Sequence, residues 1–285
     1  MKSLFTIDFE DFKNDFLVKN NCRGKYNFSA LISTYDEIQN LLKNSGGNNY
    51  CTFFCTGNLA EKFPEIIKKI SDDGHEIACH AYRHIDMSKL SDYDFEKDVD
   101  TAINFLNKAS DQNINGYRAP MFSLPKEDTK KYAILEKYFK YDSSLIISSH
   151  EINDYFKNGM YKNTKLKVLP LYSKKTAFFN KKIIGGTYLK ITRKKDLAGY
   201  FNEALEHNIY PVIYMHPYEF NDNKEFWVTM GDLKHSKLNI LQKIYYQIRQ
   251  HQWHSFNRNT LNKLTYLLER YPNEGRVDEY LEIKQ

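Results

Sequence analysis

The order of apolar segments along the chain predicts an α/β fold built on a mainly parallel sheet or barrel. Three observations carry this. Short runs rich in β-branched and aromatic residues recur, helical patterns of roughly 10–15 residues separate them, and Asp8, His80, Arg118 and His216 each follow such a run at its C-terminal end. Strand, helix, strand repeats form right-handed crossovers, and barrel enzymes assemble their sites where the strands end.

Each element has its own signal. Residues 3–9, SLFTIDF, read as a buried strand ending in carboxylates, and residues 30–43 place apolar side chains at helical spacing before the breaker SGGNN. CTFFC is the second strand; NLAEKFPEIIKKISDDG reads as one amphipathic helix closed by Gly74, and HEIACHAYRH as a short strand running into a loop. YDFEKDVDTAINFLNKAS is a helix and INGYRAP a strand. Further strands are expected at YDSSL, LKVLPL and YPVIYMH, with helices around KEDTKKYAILEKYF and RKKDLAGYFNEALEHN. After His216 the chain turns polar and helical, through KLNILQKIYYQIRQ and NTLNKLTYLLERY, without a linker or repeat. We read residues 1–285 as one domain, its motif-bearing core at about 4–220 and a helical closing segment at about 221–285.

Composition narrows the partners. The net charge is +5, from 41 Lys and Arg against 36 Asp and Glu, and the basic residues are scattered, so no nucleic-acid footprint is expected. Cys22, Cys51, Cys55 and Cys79 form no CxxC pair; buried reduced thiols suit a cytoplasmic protein. The start, MKSLFTIDFEDF, lacks the apolar stretch of a signal peptide, and nowhere do 18 apolar residues run together, so no integral membrane segment is expected. The 22 Tyr and 19 Phe are read mainly as core, with some free to pack on sugar rings.

Two motifs carry chemistry. HAYRH sets two imidazoles at i and i+4, a spacing that puts both on one face of a helical turn where they can share a metal. DFED, residues 8–11, ends an apolar strand with three carboxylates, whose crowding calls for a cation or a proton. An Asp with two His gives three protein ligands and leaves positions for water and substrate, as in a catalytic zinc site. Glu10 lies on Asp8's face if the strand persists, whereas Asp11 is reached if the chain turns after Phe9; the shorter arm of Asp11 gives it a slight preference.

TIDFED, HAYRH, YRAPMF, GGTYLK and YMHPYEF, in this order over roughly residues 4–220, resemble the motif series of the polysaccharide deacetylases with the NodB homology domain, of carbohydrate esterase family 4 type. The GG-aromatic segment and HPxE resemble the branch associated with exopolysaccharide and surface-glycan synthesis. The resemblance implies a distorted (β/α)7 barrel and a divalent metal, typically Zn2+, held by one carboxylate and two histidines. It implies Asp8 as catalytic base, His80 and His84 as metal ligands with Asp11 or Glu10, Arg118 as the partner of the base, and His216 as general acid. Tyr141 stands where the family supplies a backbone N–H to the oxyanion. Gly185, Gly186 and Tyr188 are read as a strand edge approached by substrate, with Tyr188 a packing surface for a sugar ring, or the Gly pair equally as a structural turn.

Asp142, Asp196 or another acid could orient His216, and the remaining histidines, His75, His235, His251 and His254 among them, are assigned to surface or packing. The expected activity is metal-dependent removal of an N-acetyl, less readily an O-acetyl, group from a carbohydrate. The alternatives are an allantoinase- or imidase-like hydrolase of a small cyclic amide and a catalytically inactive glycan-binding protein.

Overall fold

The computed structural model describes residues 1–20, 22, 27–152, 164–175, 180–181, 185–234 and 236–283. In chain order the main elements are β1 (Leu4–Phe9), α1 (Phe12–Lys19), α2 (Ser29–Asn44), β2 (Thr52–Cys55), α3 (Gly57–Lys62), α4 (Pro64–Asp72), β3 (Glu76–Cys79) and α5 (Asp92–Ser110). There follow β4 (Gly116–Tyr117), α6 (Thr129–Tyr138), β5 (Tyr141–Asp142), β6 (Ile146–Ser148), β7 (Lys167–Val168), β8 (Leu171–Lys175) and β9 (Asn180–Lys181). The chain continues through α7 (Gly186–Ile191), α8 (Lys194–Glu206), β10 (Val212–Met215), α9 (Ile240–His254), α10 (Thr260–Arg270) and α11 (Val277–Tyr280).

Seven strands form one sheet in the order β10-β1-β2-β3-β4-β5-β7, every pair parallel. Curled with helices outside, it is the distorted (β/α)7 barrel the sequence leads one to expect. Strand β6 pairs parallel with β8 and β8 antiparallel with β9 in a small second sheet.

The period-2 alternation of the strands divides the core and aims the site. On β1, Phe5, Ile7 and Phe9 join the apolar layer between sheet and helices, while Leu4 belongs to the cluster inside the curl with Phe54, Ala78, Val212 and Tyr214. Thr6 and Asp8 share Leu4's inward side, and His80 and His216 follow Ala78 and Tyr214 by two residues on β3 and β10. Cys55 and Cys79 lie opposite each other on β2 and β3, free and buried on the helix side.

One expected element is divided. Pro64 breaks the helix read across residues 58–74: α3 stops before it, and α4 restarts with the proline in its first turn, where the missing N–H has no helical partner to lose. The C-terminal segment closes the opposite end of the barrel. Ser3 bridges to Asn273, and the backbone N–H groups of Val277 and Asp278 donate to Thr52 Oγ1 at 2.8 Å and Glu76 Oε2 at 3.1 Å.

Candidate active site

The site begins at a buried ion pair. Arg118, just beyond β4, donates through Nη1 to Asp8 Oδ1 at 2.6 Å and to Thr6 Oγ1 at 3.0 Å, and through Nη2 to Ser143 Oγ at 2.9 Å. Its guanidinium lies 3.9 Å from the centre of the Phe54 ring. Burial works against ionisation of Asp8, but Arg118, helped by His80 and His216, holds its carboxyl below the ordinary carboxylate range.

Glu10, His80 and His84 come together beside this pair, with one ligand atom from each within 4.8 Å of the others. His80 Nδ1 is 2.7 Å from the carbonyl oxygen of Arg118, which can only accept, so Nδ1 carries the proton and Nε2 the lone pair. Nε2 is buried without a hydrogen-bond partner, and burial pushes the ring down to about 4, so it is neutral. Glu10 Oε2 is also buried without a hydrogen bond, although His84 Nε2 lies 2.7 Å away. Burial opposes charge on both, yet their mutual attraction prevails, lowering Glu10 to about 2 and raising His84. Buried ligand atoms converging in this way, His80 Nε2 without any hydrogen bond and Glu10 Oε2 facing only His84, fit a divalent cation, with His80, His84 and Glu10 as the residues that could hold it.

The preference for Asp11 over Glu10 is corrected here. The chain turns after Glu10, and Asp11 caps α1, accepting from the N–H of Asn14 at 2.9 Å. Glu10 keeps the strand periodicity and joins the histidines. The helical reason given for HAYRH also fails. His80 follows β3 directly and His84 lies in the loop beyond it, with Ala81 left-handed at φ 61°. The rings meet at 5.4 Å because the loop is pinned, Gly57 N–H bonding Ala81 O at 2.8 Å and Tyr82 N–H bonding Asp98 Oδ1 at 2.8 Å.

His216 closes the other side, Nε2 lying 3.9 Å from Asp8 Oδ2. Neither Asp142 nor Asp196 orients it: Asp142 accepts from Ser144 Oγ at 2.5 Å, and Asp196 pairs with Arg193. Glu219 does, with Oε2 2.8 Å from His216 Nδ1 and 3.2 Å from its backbone N. Burial disfavours the imidazolium, but Glu219 outweighs it and raises His216 to about 9. Behind Glu219 stands the buried Lys190, 3.4 Å away, which also donates to Asn257 Oδ1 at 2.8 Å. The sequence signal for Glu219 was HPYE, since a 3-10 turn over Pro217–Glu219 returns the fourth residue to the first.

Tyr141 does not serve the oxyanion. Its N–H bonds the carbonyl of Asn115 at 3.2 Å, and its hydroxyl donates to Glu76 Oε1 at 2.9 Å towards the barrel's other end. Instead of a strand edge, the GGTYLK segment gives one bridge and a helix. Gly185 pairs with Tyr214, where a Cβ would fall 2.2 Å from the Tyr214 carbonyl oxygen, and α7 follows directly. Tyr188 is half-buried in α7 and is not among the described groove-lining side chains.

Above Asp8, Glu10 and His216 runs a groove of about 500 Å3, with Phe12, Phe16, Tyr214, Tyr218, Tyr246 and Trp253 in its walls. Helix α9 supplies Tyr246, Arg249 and Trp253, a contribution the sequence did not disclose. Asp15 also lines it, buried, with Oδ2 unpartnered. Of the remaining histidines, His75 accepts from the N–H of Cys51 at 3.1 Å, His251 and His254 pack against Trp227, and His235 lies outside the described residues.

Fold and site define a parallel α/β barrel protein with a carboxylate and two histidines, fit for a metal, at the C-terminal rim of its strands. Residues 31–137, a segment that holds His80, His84 and Arg118, match the model of the polysaccharide deacetylase family. It is similar to a peptidoglycan-N-acetylglucosamine deacetylase of Bacillus cereus, 32% identical over 109 residues, 36% of this chain and 38% of that protein. It is 30% identical over 140 residues, 48% of this chain and 40% of the other, to a peptidoglycan deacetylase-like protein of Gibberella zeae. The chain thus spans about two fifths of the length of these relatives. Among solved structures, a CE4 family pseudoenzyme from Bacillus anthracis shares the fold, with a TM-score of 0.50 at 14% identity, covering 98% of this chain and 66% of that one.

Proposed function

We propose that the chain is a metal-dependent deacetylase that hydrolyses the N-acetyl, less readily the O-acetyl, group of a sugar in a surface polysaccharide or glycoconjugate. One observation carries the reading. Two buried donor atoms without hydrogen bonds, His80 Nε2 and Glu10 Oε2, lie beside a carboxylate held ionised by Arg118 and across from His216.

The ion's holders would be Glu10, His80 and His84. A divalent ion bound there, Zn2+ by the donor chemistry, supplies a Lewis acid that polarises the acetyl carbonyl and lowers the pKa of water. Asp8 accepts the proton of the attacking water, and its pairing with Arg118 keeps it ionised to do so. His216, protonated through Glu219, gives its proton to the departing nitrogen as the C–N bond breaks, leaving acetate and a free amino sugar. Aromatic walls on both sides of the reacting groups suit the apolar faces of sugar rings. Neither rival, a small cyclic amide as substrate or glycan binding without catalysis, has an observation in its favour here.

The test is elemental analysis of the purified chain combined with acetate release from N-acetylated oligosaccharides. Near-stoichiometric zinc, lost together with acetate release in His80→Ala, is the expected result. Absence of both in the wild type, even after incubation with zinc, overturns the reading.

A further inference from the structure

Helix α9 has two faces with different surroundings. Its inner side packs on α1, Tyr246 against Phe16 with ring centres 4.6 Å apart and Trp253 against Phe12 at 4.9 Å. Its outer side presents Leu241, Ile244, Tyr245 and Ile248 at the i, i+3, i+4, i+7 spacing of one helical face, between 45% and 74% exposed. Phe256, just beyond the helix, is 59% exposed. Four apolar side chains in register on one solvent face form a contiguous patch, unlike scattered single residues.

The charge around this stripe is one-sided. Between Asp232 and Glu269 the chain has no carboxylate, yet it carries Lys234, Lys237, Lys243, Arg249, Arg258 and Lys263. Arg258 is paired with Asp222, and Lys263 donates to backbone carbonyls. Lys234, Lys237, Lys243 and Arg249 have no ion-pair partner among the described residues. An apolar helical stripe flanked by unpaired cations is complementary to acyl chains beneath anionic headgroups. Against a second copy of this chain, the same cations would be brought face to face.

We propose that α9 seats the protein on the surface of an anionic lipid bilayer, its apolar stripe entering the headgroup boundary. No described helix is long and apolar enough to cross a membrane, so the attachment is interfacial. Because Tyr246, Arg249 and Trp253 of the same helix wall the groove, docking brings the groove alongside the bilayer, within reach of a saccharide carried on lipid. The docking does not rest on the hydrolysis proposed above, since vesicle binding is read without substrate.

The experiment is co-sedimentation of the full chain with large unilamellar vesicles of phosphatidylcholine, with and without phosphatidylglycerol. Expected is binding to the anionic vesicles on the order of tenfold stronger than to the neutral ones, weakened by added salt. Leu241→Ser with Ile248→Ser should abolish it while leaving the circular dichroism spectrum unchanged, and Lys234→Gln with Lys237→Gln should weaken it. Equal sedimentation with both vesicle types, or with neither, overturns the proposal. So does a dimer in gel filtration that the Leu241→Ser, Ile248→Ser chain dissociates, which would give the stripe to a second copy.

Discussion

Two buried carboxylates stand at opposite ends of the barrel, Glu76 at the start of β3 and Glu10 just past the end of β1. Glu76 is fully served: Tyr141 hydroxyl donates to Oε1 at 2.9 Å, and Thr52 hydroxyl at 2.5 Å and Asp278 N–H at 3.1 Å donate to Oε2. Burial, with Asp278 close by, still raises it to about 7. Glu10 Oε2 and the nearby His80 Nε2 have no hydrogen bond, and Glu10 is lowered to about 2. Burial alone therefore does not mark function. A carboxylate whose acceptors are filled by hydrogen-bond donors holds the fold, whereas one that converges with two imidazole nitrogens is built for something outside the chain.

The sharpest way to break this comparison is to exchange the ends. Glu10→Gln should lose bound zinc and all measurable acetate release, and zinc retention at the wild-type level would remove Glu10 from the metal set. Next in size is Asp8→Asn, expected to keep its metal and lose roughly 10²–10⁴-fold in kcat, because the base is removed and no ligand is. Equal loss of metal in that variant would merge the two roles.

A third test separates His216 from the cluster. Its folded value is raised from 6.5 to about 9, so its contribution to stability is complete below 6.5 and lost as pH rises through about 9. Without metal, the difference in unfolding free energy between wild type and Glu219→Gln, measured by denaturant titration, should therefore narrow between pH 6 and pH 10 by an amount on the order of 2 kcal/mol. A gap independent of pH would mean that Glu219 acts by packing alone. At the far end, Glu76→Gln should cost about 1–3 kcal/mol while kcat stays unchanged, since one oxygen acceptor becomes a donor facing donors. Smallest is Asp11→Ala, expected to retain zinc and cost about 1 kcal/mol through loss of the α1 cap.

What the sequence disclosed follows from which signals are local. Strand periodicity aimed Asp8, His80 and His216 inward, and the same periodicity, followed one step further, selects Glu10. The preference for Asp11 went astray because arm length was weighed where cap chemistry decided. HAYRH brought its histidines together for a different reason from the one its spacing offers: Gly57 and Asp98, remote in sequence, hold the loop. Tyr141 lay within a recognisable motif, yet its N–H was already committed to sheet pairing, a matter of register that no motif displays. The α9 wall of the groove was illegible for a related reason, because amphipathic spacing shows that a helix packs without showing against what.

Cys55 and Cys79, face to face across β2 and β3, gain a use from their burial. Both thiols are driven far above their ordinary value, so the folded barrel offers almost no thiolate to an alkylating reagent. Modification has to wait for these strands to part, and the rate of labelling counts the openings. Since His80 follows Cys79 directly, those thiols form a clock for the rim that holds the histidines. Ligation of an ion there should slow it.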